Sequence, residues 1–442
     1  MRFLIVFLAF LASVLAFPLK SPTKPSDDPF YSPPDGFESA KSGEVLRFRK
    51  MDNSYGALYL PVNLAATYQY LVKSENSFGE PVAIVTTLLV PHNSDPNKIL
   101  SYQVAEDSTA LNCAPSYALQ VGSSATTIIL TQIEFYYMQG VLNEGWNLVV
   151  PDYLGPNGAN CAGYLGGKAV LNSIRGVLSK AADTGISSSA GVSLWGYSGG
   201  SSPTGWAAQL HPTYAPELNL IGAAYGGIIV NTTSATVGNM GKLSAGLAFT
   251  TLNGLANEYP ELNDWIEKAV KPEKLSLFKA TNSACLIQYM PIYLLASWSQ
   301  YFVDGAKAMY DEVFQRISEK NNMLLTGLVP KIPIYLYDAK FDELLDSTDT
   351  DKLYDQFCAG GVSVEYHQDI VSEHLISFFS GGSGAFNWLK ARHNGVPVAK
   401  NCQKKTSPTG LLSPQNILTL AKLNLELGVN IFGRPIGPNG PQ

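Results

Sequence analysis

The chain has 442 residues, 46% of them hydrophobic and only 15% charged, which supplies enough apolar material for one large core. Its formal net charge of −6 is spread along the sequence without a basic cluster, and this excludes the electrostatic footprint of a nucleic-acid-binding protein. Five cysteines allow at most two disulfides, and none of them has the C-x-x-C spacing of a zinc site. This spacing argues against a zinc site, and we expect no other metal and no cofactor.

The first 36 residues indicate a secreted chain. Residues 1–16 combine a basic Arg2, an apolar stretch and a small-residue cleavage site at Ala16, which is typical of a signal peptide. The stretch is too short to span a membrane comfortably, and each later apolar segment is interrupted by Gly, Pro, Asn or a charge. Residues 17–36 are rich in proline and predict an extended arm or a short propeptide. We expect an extracellular monomer without a transmembrane segment.

Strand and helix signals then alternate in the order that a parallel sheet requires. The predicted strands are 81–90, 98–104, 146–151, 192–195, 220–225, 333–338 and 362–366. The predicted helices between and after these strands are 129–143, 167–182, 204–210 and 378–392. The alternation predicts an α/β fold, with its core at 37–229 and 331–404.

Residues 230–330 break this alternation. Their helical patterns cover 240–252, 262–270, 291–301 and 309–320. The flanking strands belong to one sheet, which favours a helical cap inserted over its carboxyl edge rather than a second core domain. The single N-x-[ST] sequon lies at the start of this insertion, at Asn231, and predicts one glycan.

The tail at 405–442 carries a period-two pattern. Leucine, valine and isoleucine alternate with polar residues and glycine over 423–431, which predicts a strand. Such a strand is expected to act as a C-terminal flap near the cleft or to cover an edge of the sheet.

The sequence G-Y-S-G-G at 196–200 lies between a predicted strand and a predicted helix. G-x-S-x-G in this context is the nucleophile elbow of α/β-hydrolases. Its glycines permit so tight a turn that the serine is held in a strained conformation, with its hydroxyl exposed at a helix N-terminus. Ser198 is therefore the predicted nucleophile, and a plain Gly/Ser turn is the alternative.

A serine nucleophile needs a general base, and the base needs a carboxylate to orient it. In this fold the chain order is serine, acid, histidine, which excludes His92. His211 ends the predicted elbow helix and is expected to cap it. The remaining candidates are His367, His374 and His393.

His374 is the favoured base. It lies between the last predicted strand and the last predicted helix, where a loop can fold back over the sheet to Ser198. His367 lies at the end of the strand and is the alternative. His393 follows the helix and is expected to face the opposite edge of the sheet.

Asp342 is the predicted acid. The strand at 333–338 is followed by a loop, and a carboxylate a few residues past the strand is well placed to reach the histidine. Asp338 is still on the strand, and we expect Glu343 to point away because side chains alternate.

The intermediate also needs an oxyanion hole. One donor is expected from the backbone N–H of Gly199, the residue after the nucleophile. The second is expected from the loop 105–109, which follows the early strand at 98–104 and contains Asp107. The chain lacks an H-G-G-G tetrapeptide, and the alternative role for Asp107 is a helix cap or a turn.

Together these motifs resemble the secreted yeast lipases of the Candida lipase-A type, over almost the whole chain. The resemblance rests on E-D-S-T-A-L-N-C-A-P-S-Y-A at 106–118, V-V-P-D-Y-L-G-P at 149–156, G-Y-S-G-G at 196–200, D-A-K-F-D-E at 338–343 and S-E-H at 372–374. It implies an α/β-hydrolase core, a helical cap and a C-terminal flap. It also implies a secreted triacylglycerol lipase that hydrolyses or transfers fatty acyl groups at a lipid–water interface.

By this resemblance Ser198, Asp342 and His374 form the catalytic triad, and Asp107 and Gly199 form the oxyanion hole. An aspartate can donate only through a protonated carboxyl or its backbone. Relatives carry tyrosine where this chain has Glu106, so the exact donor is open. The resemblance further implies two disulfides and one free thiol: Cys113–Cys285, Cys358–Cys402 and Cys161.

Other functions share parts of these signals. A secreted carboxylesterase or serine peptidase has the same triad. A non-catalytic surface module can keep the hydrolase fold, although such proteins usually lose a triad residue.

Overall fold

The structure, a computed structural model, describes residues 21–52, 54–57 and 60–438, so the predicted signal peptide at 1–16 lies outside it. In these residues ten strands form one sheet and two short strands form a separate pair. The strands are β1 Val45–Lys50, β2 Gly56–Ala57, β3 Leu60–Pro61, β4 Ala66–Glu75, β5 Pro81–Val90, β6 Lys98–Gln103, β7 Asn147–Pro151, β8 Gly191–Tyr197, β9 Leu220–Gly226, β10 Ile334–Ala339, β11 Val364–Asp369 and β12 Gln403–Ser407.

The large sheet has the order β1-β4-β5-β7-β6-β8-β9-β10-β11-β12. β1, β4, β5 and β7 pair antiparallel, and the pairs from β7 through β6 to β12 are parallel. The predicted α/β fold is confirmed. In a parallel array the carboxyl ends of the strands share one edge, and this edge is where the loops after β6, β8, β10 and β11 meet.

Helices cover both faces of the sheet and fill the segment between β9 and β10. Their bounds are α1 Pro115–Ala118, α2 Ala125–Asn143, α3 Gly163–Ser179, α4 Ala181–Thr184, α5 Ser201–Tyr214, α6 Thr232–Asn239, α7 Ala245–Glu258, α8 Pro260–Ala269, α9 Pro272–Phe278, α10 Leu286–Tyr289, α11 Trp298–Tyr301, α12 Glu312–Lys320, α13 Ser347–Ala359, α14 His374–His393 and α15 Pro414–Asn430. None of the described helices is both long enough and apolar enough to cross a membrane.

Strand β8 shows how the sequence builds two core layers. Val192 and Leu194 belong to the cluster beneath α3 and α5, whereas Trp195 and Tyr197 belong to the cluster on the opposite face, beneath α2 and α14. All four side chains are buried. Side chains alternate along a strand, so a strand covered on both faces reads as a continuous apolar run.

The segment between β9 and β10 is mainly helical and has its own aromatic core, which includes Phe249, Tyr293 and Phe302. The predicted helix at 291–301 is wrong. The chain forms a 3₁₀ turn at Met290–Tyr293, passes through Leu295 with φ 58°, and becomes helical again at Trp298–Tyr301. A positive φ cannot continue a right-handed helix.

The predicted strand at 423–431 is also wrong, because α15 runs through Pro414–Asn430. The Ser413 hydroxyl caps this helix by accepting from Asn416 N, and a proline follows at the first helical position. The side chains that pack on the core are spaced for a helix rather than a strand: Leu420, Leu423, Leu427 and Ile431. Leu425 also belongs to the period-two pattern, but its side chain is exposed.

The proline-rich arm lies against the sheet over the residues that the structure describes. It forms 3₁₀ turns at Pro25–Asp27 and Pro29–Tyr31. The Tyr31 hydroxyl lies 2.6 Å from Ser116 Oγ, and Asp28 pairs with Arg49 at 2.7 Å. These contacts hold residues 21–36 in a defined place.

Two disulfides tie distant parts of the fold together. Cys113, after β6, is bonded to Cys285 at the start of α10. Cys358 in α13 is bonded to Cys402 just before β12. These are the pairs that the resemblance implied, and Cys161 is a buried free thiol.

Asn231, the residue of the sequon, sits at the N-cap of α6. Its side-chain oxygen accepts from Thr233 N at 3.0 Å. Glycosylation at this position stays a prediction.

Candidate active site

Ser198 follows β8 directly and has φ 52°. A non-glycine residue in this region carries backbone strain of about 1–3 kcal/mol, which persists only where the surroundings enforce it. The turn is so tight that a Cβ on Gly196 would collide with the backbone carbonyl of Gly200. The predicted strand–turn–helix elbow is therefore present, with α5 beginning three residues after the serine.

The structure brings three predicted residues from three loops into one hydrogen-bonded chain. The Ser198 hydroxyl lies 2.8 Å from His374 Nε2. On the other side of the ring, His374 Nδ1 lies 2.6 Å from Asp342 Oδ2. The remaining oxygen of Asp342 accepts from the backbone N–H groups of Leu344 and Leu345 at 2.9 and 3.0 Å. The carboxylate is thereby fixed so that it orients the imidazole.

The electrostatic surroundings of His374 suit a general base. Burial lowers the pKa of the imidazole. The hydrogen bond that His374 donates to Asp342, together with the negative charges of Asp342, Glu343 and Asp107, outweighs this effect and raises the pKa above its ordinary value. An imidazole whose protonated form is stabilised in this way is a good acceptor for the serine proton.

The other histidines are engaged elsewhere. His367 on β11 bonds through Nε2 to Glu365 Oε1 at 2.7 Å. His393 ends α14 and lies 2.8 Å from the Ser193 hydroxyl, and burial lowers its pKa to about 3. His211 lies within α5, and its Nε2 is hydrogen-bonded to the carbonyl of Leu218. This bond fixes the segment that follows the helix.

The two rejected carboxylates have distinct positions. The Tyr366 hydroxyl donates one bifurcated hydrogen bond to the two carboxylate oxygens of Asp338 on β10, and burial raises the pKa of Asp338 to about 7. The expectation that Glu343 points away is wrong, because its Oε2 accepts from His374 N at 2.9 Å. The strand ends at Ala339, so strand alternation does not govern the loop residue Glu343.

The loop after β6 reaches the nucleophile. Asp107 has φ 43°, and a Cβ on Gly199 would collide with its carboxyl group. Burial raises the pKa of Asp107 to about 6, well above the ordinary value of an aspartate. The backbone N–H of Asp107 has no hydrogen-bond acceptor among the described residues. This N–H is available for a developing oxyanion, and as a donor it needs no protonated carboxyl.

A cavity of about 490 Å³ opens above the serine. Ser198 and His374 lie at its base, and most of the wall is apolar. The wall includes Ile133, Leu247, Leu286, Ile287, Met290, Leu344, Leu375 and Phe378. Such a cavity suits an apolar chain attached to a polar reacting group.

Sequence reasoning missed several residues that hold the site. The Tyr197 hydroxyl donates to His374 O at 2.5 Å, and the Tyr289 hydroxyl donates to Asp107 O at 2.5 Å. Glu134 Oε1 accepts from Ala105 N at 2.7 Å. Only Tyr197 carried a signal, since it is the variable residue of the elbow. The others come from distant segments that only the fold brings close.

A strained serine at a strand–helix elbow, joined to histidine and aspartate in that chain order, defines a serine hydrolase with the α/β-hydrolase fold. Solved structures agree. The chain is similar to Candida antarctica lipase A, with a TM-score of 0.81 and 27% identity over 96% of this chain and 100% of that one. It shares the fold with an esterase LipA from Xanthomonas oryzae, with a TM-score of 0.61 and 14% identity.

Sequence comparisons give the family. The secretory lipase family model matches residues 119–401. Lipase 2 of Candida albicans is 39% identical over 98% of this chain and 95% of its own length. Lipase A of Arthroderma benhamiae is 36% identical over 96% of this chain and 92% of its own. The chain belongs to the secretory lipase family and is a lipase, an enzyme that acts on lipid esters.

Proposed function

We propose that this lipase is a secreted, monomeric triacylglycerol lipase that works through an acyl-enzyme on Ser198. The observation that carries the proposal is the continuous hydrogen-bonded chain from Ser198 to Asp342 at the base of an apolar cavity. Secretion is supported by the signal-peptide pattern at 1–16, by the family and by two disulfides, which form in oxidising compartments.

In the acylation step, Ser198 Oγ attacks the ester carbonyl carbon while His374 Nε2 takes its proton. The carbonyl oxygen becomes an oxyanion and accepts hydrogen bonds from the N–H groups of Gly199 and Asp107. When the intermediate collapses, the ester C–O bond breaks and His374 returns the proton to the departing alcohol. The acyl group is then bonded to Ser198.

In the second step, water or another alcohol takes the place of the departed alcohol. His374 removes its proton as the oxygen attacks the acyl carbon, and the same donors hold the oxyanion. Collapse returns the proton to Ser198 Oγ and releases the fatty acid or a new ester. Asp342 keeps its hydrogen bond with His374 Nδ1 throughout and stabilises the protonated imidazole.

We propose that the insertion at 230–330 acts as the cap that shapes the acyl site. Seven of its residues line the cavity: Ser244, Leu247, Cys285, Leu286, Ile287, Met290 and Pro291. The Cys113–Cys285 disulfide ties this wall to the core. A fatty acyl chain in this cavity exchanges water for apolar contacts, which contributes roughly 0.8 kcal/mol for each buried methylene.

The first test measures turnover of p-nitrophenyl esters from acetate to palmitate and of emulsified triolein. We expect kcat/KM to rise with chain length and triolein to be hydrolysed. A Leu286→Trp variant fills part of the cavity, so its optimum should move to shorter chains. Leu277→Trp, on the exposed part of the cap outside the cavity wall, is the matched control.

An acetate preference without triolein hydrolysis would make the chain an ordinary carboxylesterase. If the preferred acyl-chain length shifted equally in both tryptophan variants, the cavity would not be what selects the chain length.

Exposed apolar side chains lie within four residues, along the chain, of residues that line the cavity, and we call seven of them the apolar rim. Its members are Leu243, Leu294, Leu295, Phe341, Val371, Leu375 and Ile376. Leu375 also lines the cavity. The backbone N–H of Leu295 donates to the carbonyl of Lys242, and the ammonium group of Lys242 donates to the carbonyl of Glu343, next to Asp342. An apolar patch continuous with a substrate cavity is typical of an interaction surface, and we propose that the rim docks on the lipid–water interface.

The second test uses Val371→Ser combined with Leu243→Ser. We expect activity on emulsified triolein to fall about tenfold, because less apolar area enters the lipid, while soluble p-nitrophenyl butyrate is hydrolysed at the original rate. The matched control is Val396→Ser with Leu425→Ser. Both control residues are more than half exposed and lie outside the rim, Val396 after the end of α14 and Leu425 on α15. His374 begins α14, which is about 30 Å long, so Val396 is far from the triad.

Equal loss on both substrates, or an equal loss in the control pair, would contradict docking through the rim.

A further inference from the structure

The geometry points to Tyr289 as a positioning residue for the oxyanion donor. Its hydroxyl donates to the backbone carbonyl of Asp107, and we infer that this bond holds the Asp107 N–H in the orientation that the oxyanion requires. The inference rests on the proposed function, in which that N–H is one of the two donors.

The conformation of Asp107 needs external support. Its φ of 43° lies in the left-handed region, which costs a non-glycine residue about 1–3 kcal/mol. Without restraints the residue would relax to a negative φ. The N–H and the C=O of Asp107 belong to the two peptides that flank its Cα, so such a relaxation turns the N–H away from the serine.

Two core side chains form hydrogen bonds with the beginning of this loop. The Tyr153 hydroxyl donates to Val104 O at 2.7 Å, and Glu134 Oε1 accepts from Ala105 N at 2.7 Å. Both contacts come before Asp107 in the chain, so they leave the peptide after it unrestrained.

The cap restrains the rest of the loop. Ser108 Oγ donates to Ala284 O at 3.2 Å, and Thr109 Oγ1 donates to Thr281 Oγ1 at 3.1 Å. The Tyr289 hydroxyl lies 2.5 Å from Asp107 O and is the cap group that reaches the strained residue itself. Since Cys285 in the same segment is disulfide-bonded to Cys113, the segment that carries Tyr289 is also covalently tied to the chain after the loop.

Tyr289 is separate from the acyl site. Its neighbours Leu286, Ile287 and Met290 line the cavity, whereas Tyr289 does not and is fully buried. Loss of its hydroxyl therefore leaves the cavity wall in place. The consequence is a kinetic signature, in which kcat falls for every ester while KM changes little.

The chain offers a matched control for this test. Tyr293, four residues further along, is also fully buried, and its hydroxyl donates to Leu277 O at 2.5 Å. Tyr289→Phe and Tyr293→Phe remove the same atom from the same part of the cap. Only the first removes a bond to the oxyanion loop.

The experiment measures kcat and KM of the secreted full-length enzyme and both variants on p-nitrophenyl acetate and p-nitrophenyl palmitate. Active sites are titrated by exhaustive phosphonate labelling, and melting temperatures are compared. We expect Tyr289→Phe to lower kcat about tenfold on both esters, since removing an oxyanion donor outright costs roughly 100- to 1000-fold. KM should stay within about twofold, phosphonate inactivation should slow by the same factor as kcat, and Tyr293→Phe should match the wild type.

Similar kinetics in the two variants would overturn the inference, as would a loss confined to palmitate with a raised KM, which is the signature of a damaged cavity. A wild-type enzyme that is active but not labelled at Ser198 would instead overturn the proposed function.

Discussion

Replacing Ser198 by alanine is expected to reduce kcat on every ester by about 10⁶-fold, because the acyl-enzyme can no longer form and only the oxyanion donors and binding remain. The measurement is initial-rate hydrolysis of p-nitrophenyl butyrate at matched enzyme concentration. Secretion and melting temperature should stay near those of the wild type, because alanine fits where serine fits and loses only one hydroxyl.

Ser202→Ala is the matched control, since Ser202 is a buried serine in α5 four residues beyond the nucleophile. Its activity is expected to stay within about twofold of the wild type. Substantial turnover by Ser198→Ala, or equal losses in the two variants, would contradict the assignment of the nucleophile.

Replacing Asp342 by asparagine is expected to lower kcat about 10⁴-fold. An amide occupies the same space as the carboxylate but carries no charge. It therefore no longer stabilises the protonated imidazole, and its NH₂ group can favour the wrong tautomer of His374. The same change removes the two leading influences that raise the pKa of His374. The residual activity should therefore show an acidic limb at lower pH than the wild type, measured from kcat/KM across pH.

Asp338→Asn provides the comparison. Asp338 is a buried carboxyl on the strand that leads to Asp342, but it is bonded to Tyr366. We expect this variant to lose thermal stability and to keep kcat within a few-fold. A greater loss of kcat in Asp338→Asn than in Asp342→Asn would contradict the assignment of Asp342 as the acid and would favour Asp338.

The parts of the site that could be predicted from sequence are those fixed by local chemistry. A Gly-x-Ser-x-Gly turn between a buried strand and a helix indicates a nucleophile elbow, and the chain order then limits the acid and base to a few loops. The positions of Ser198, Asp342 and His374 follow because parallel strands place the loops that follow them at one edge. The buried strands were likewise predictable, because they form continuous apolar runs.

The parts that could not be predicted depend on tertiary context. The alternating pattern includes Leu423, Leu425 and Leu427, but it cannot show that Leu423 and Leu427 pack on the core while Leu425 is exposed. The Ser413 cap and the proline after it were the local signals for a helix. Glu343 and Tyr289 act through backbone atoms of other residues, and a pattern of side chains carries no information about such bonds.

The central claim is that Ser198 becomes acylated by virtue of its bond to His374. The most direct measurement is labelling of the secreted enzyme with a p-nitrophenyl alkylphosphonate, followed by peptide mapping by mass spectrometry. The account predicts one covalent adduct per chain, located on Ser198, whose formation parallels the loss of esterase activity and slows strongly in Asp342→Asn. Complete inactivation with the adduct on another residue, or an active enzyme that the phosphonate never modifies, would contradict it.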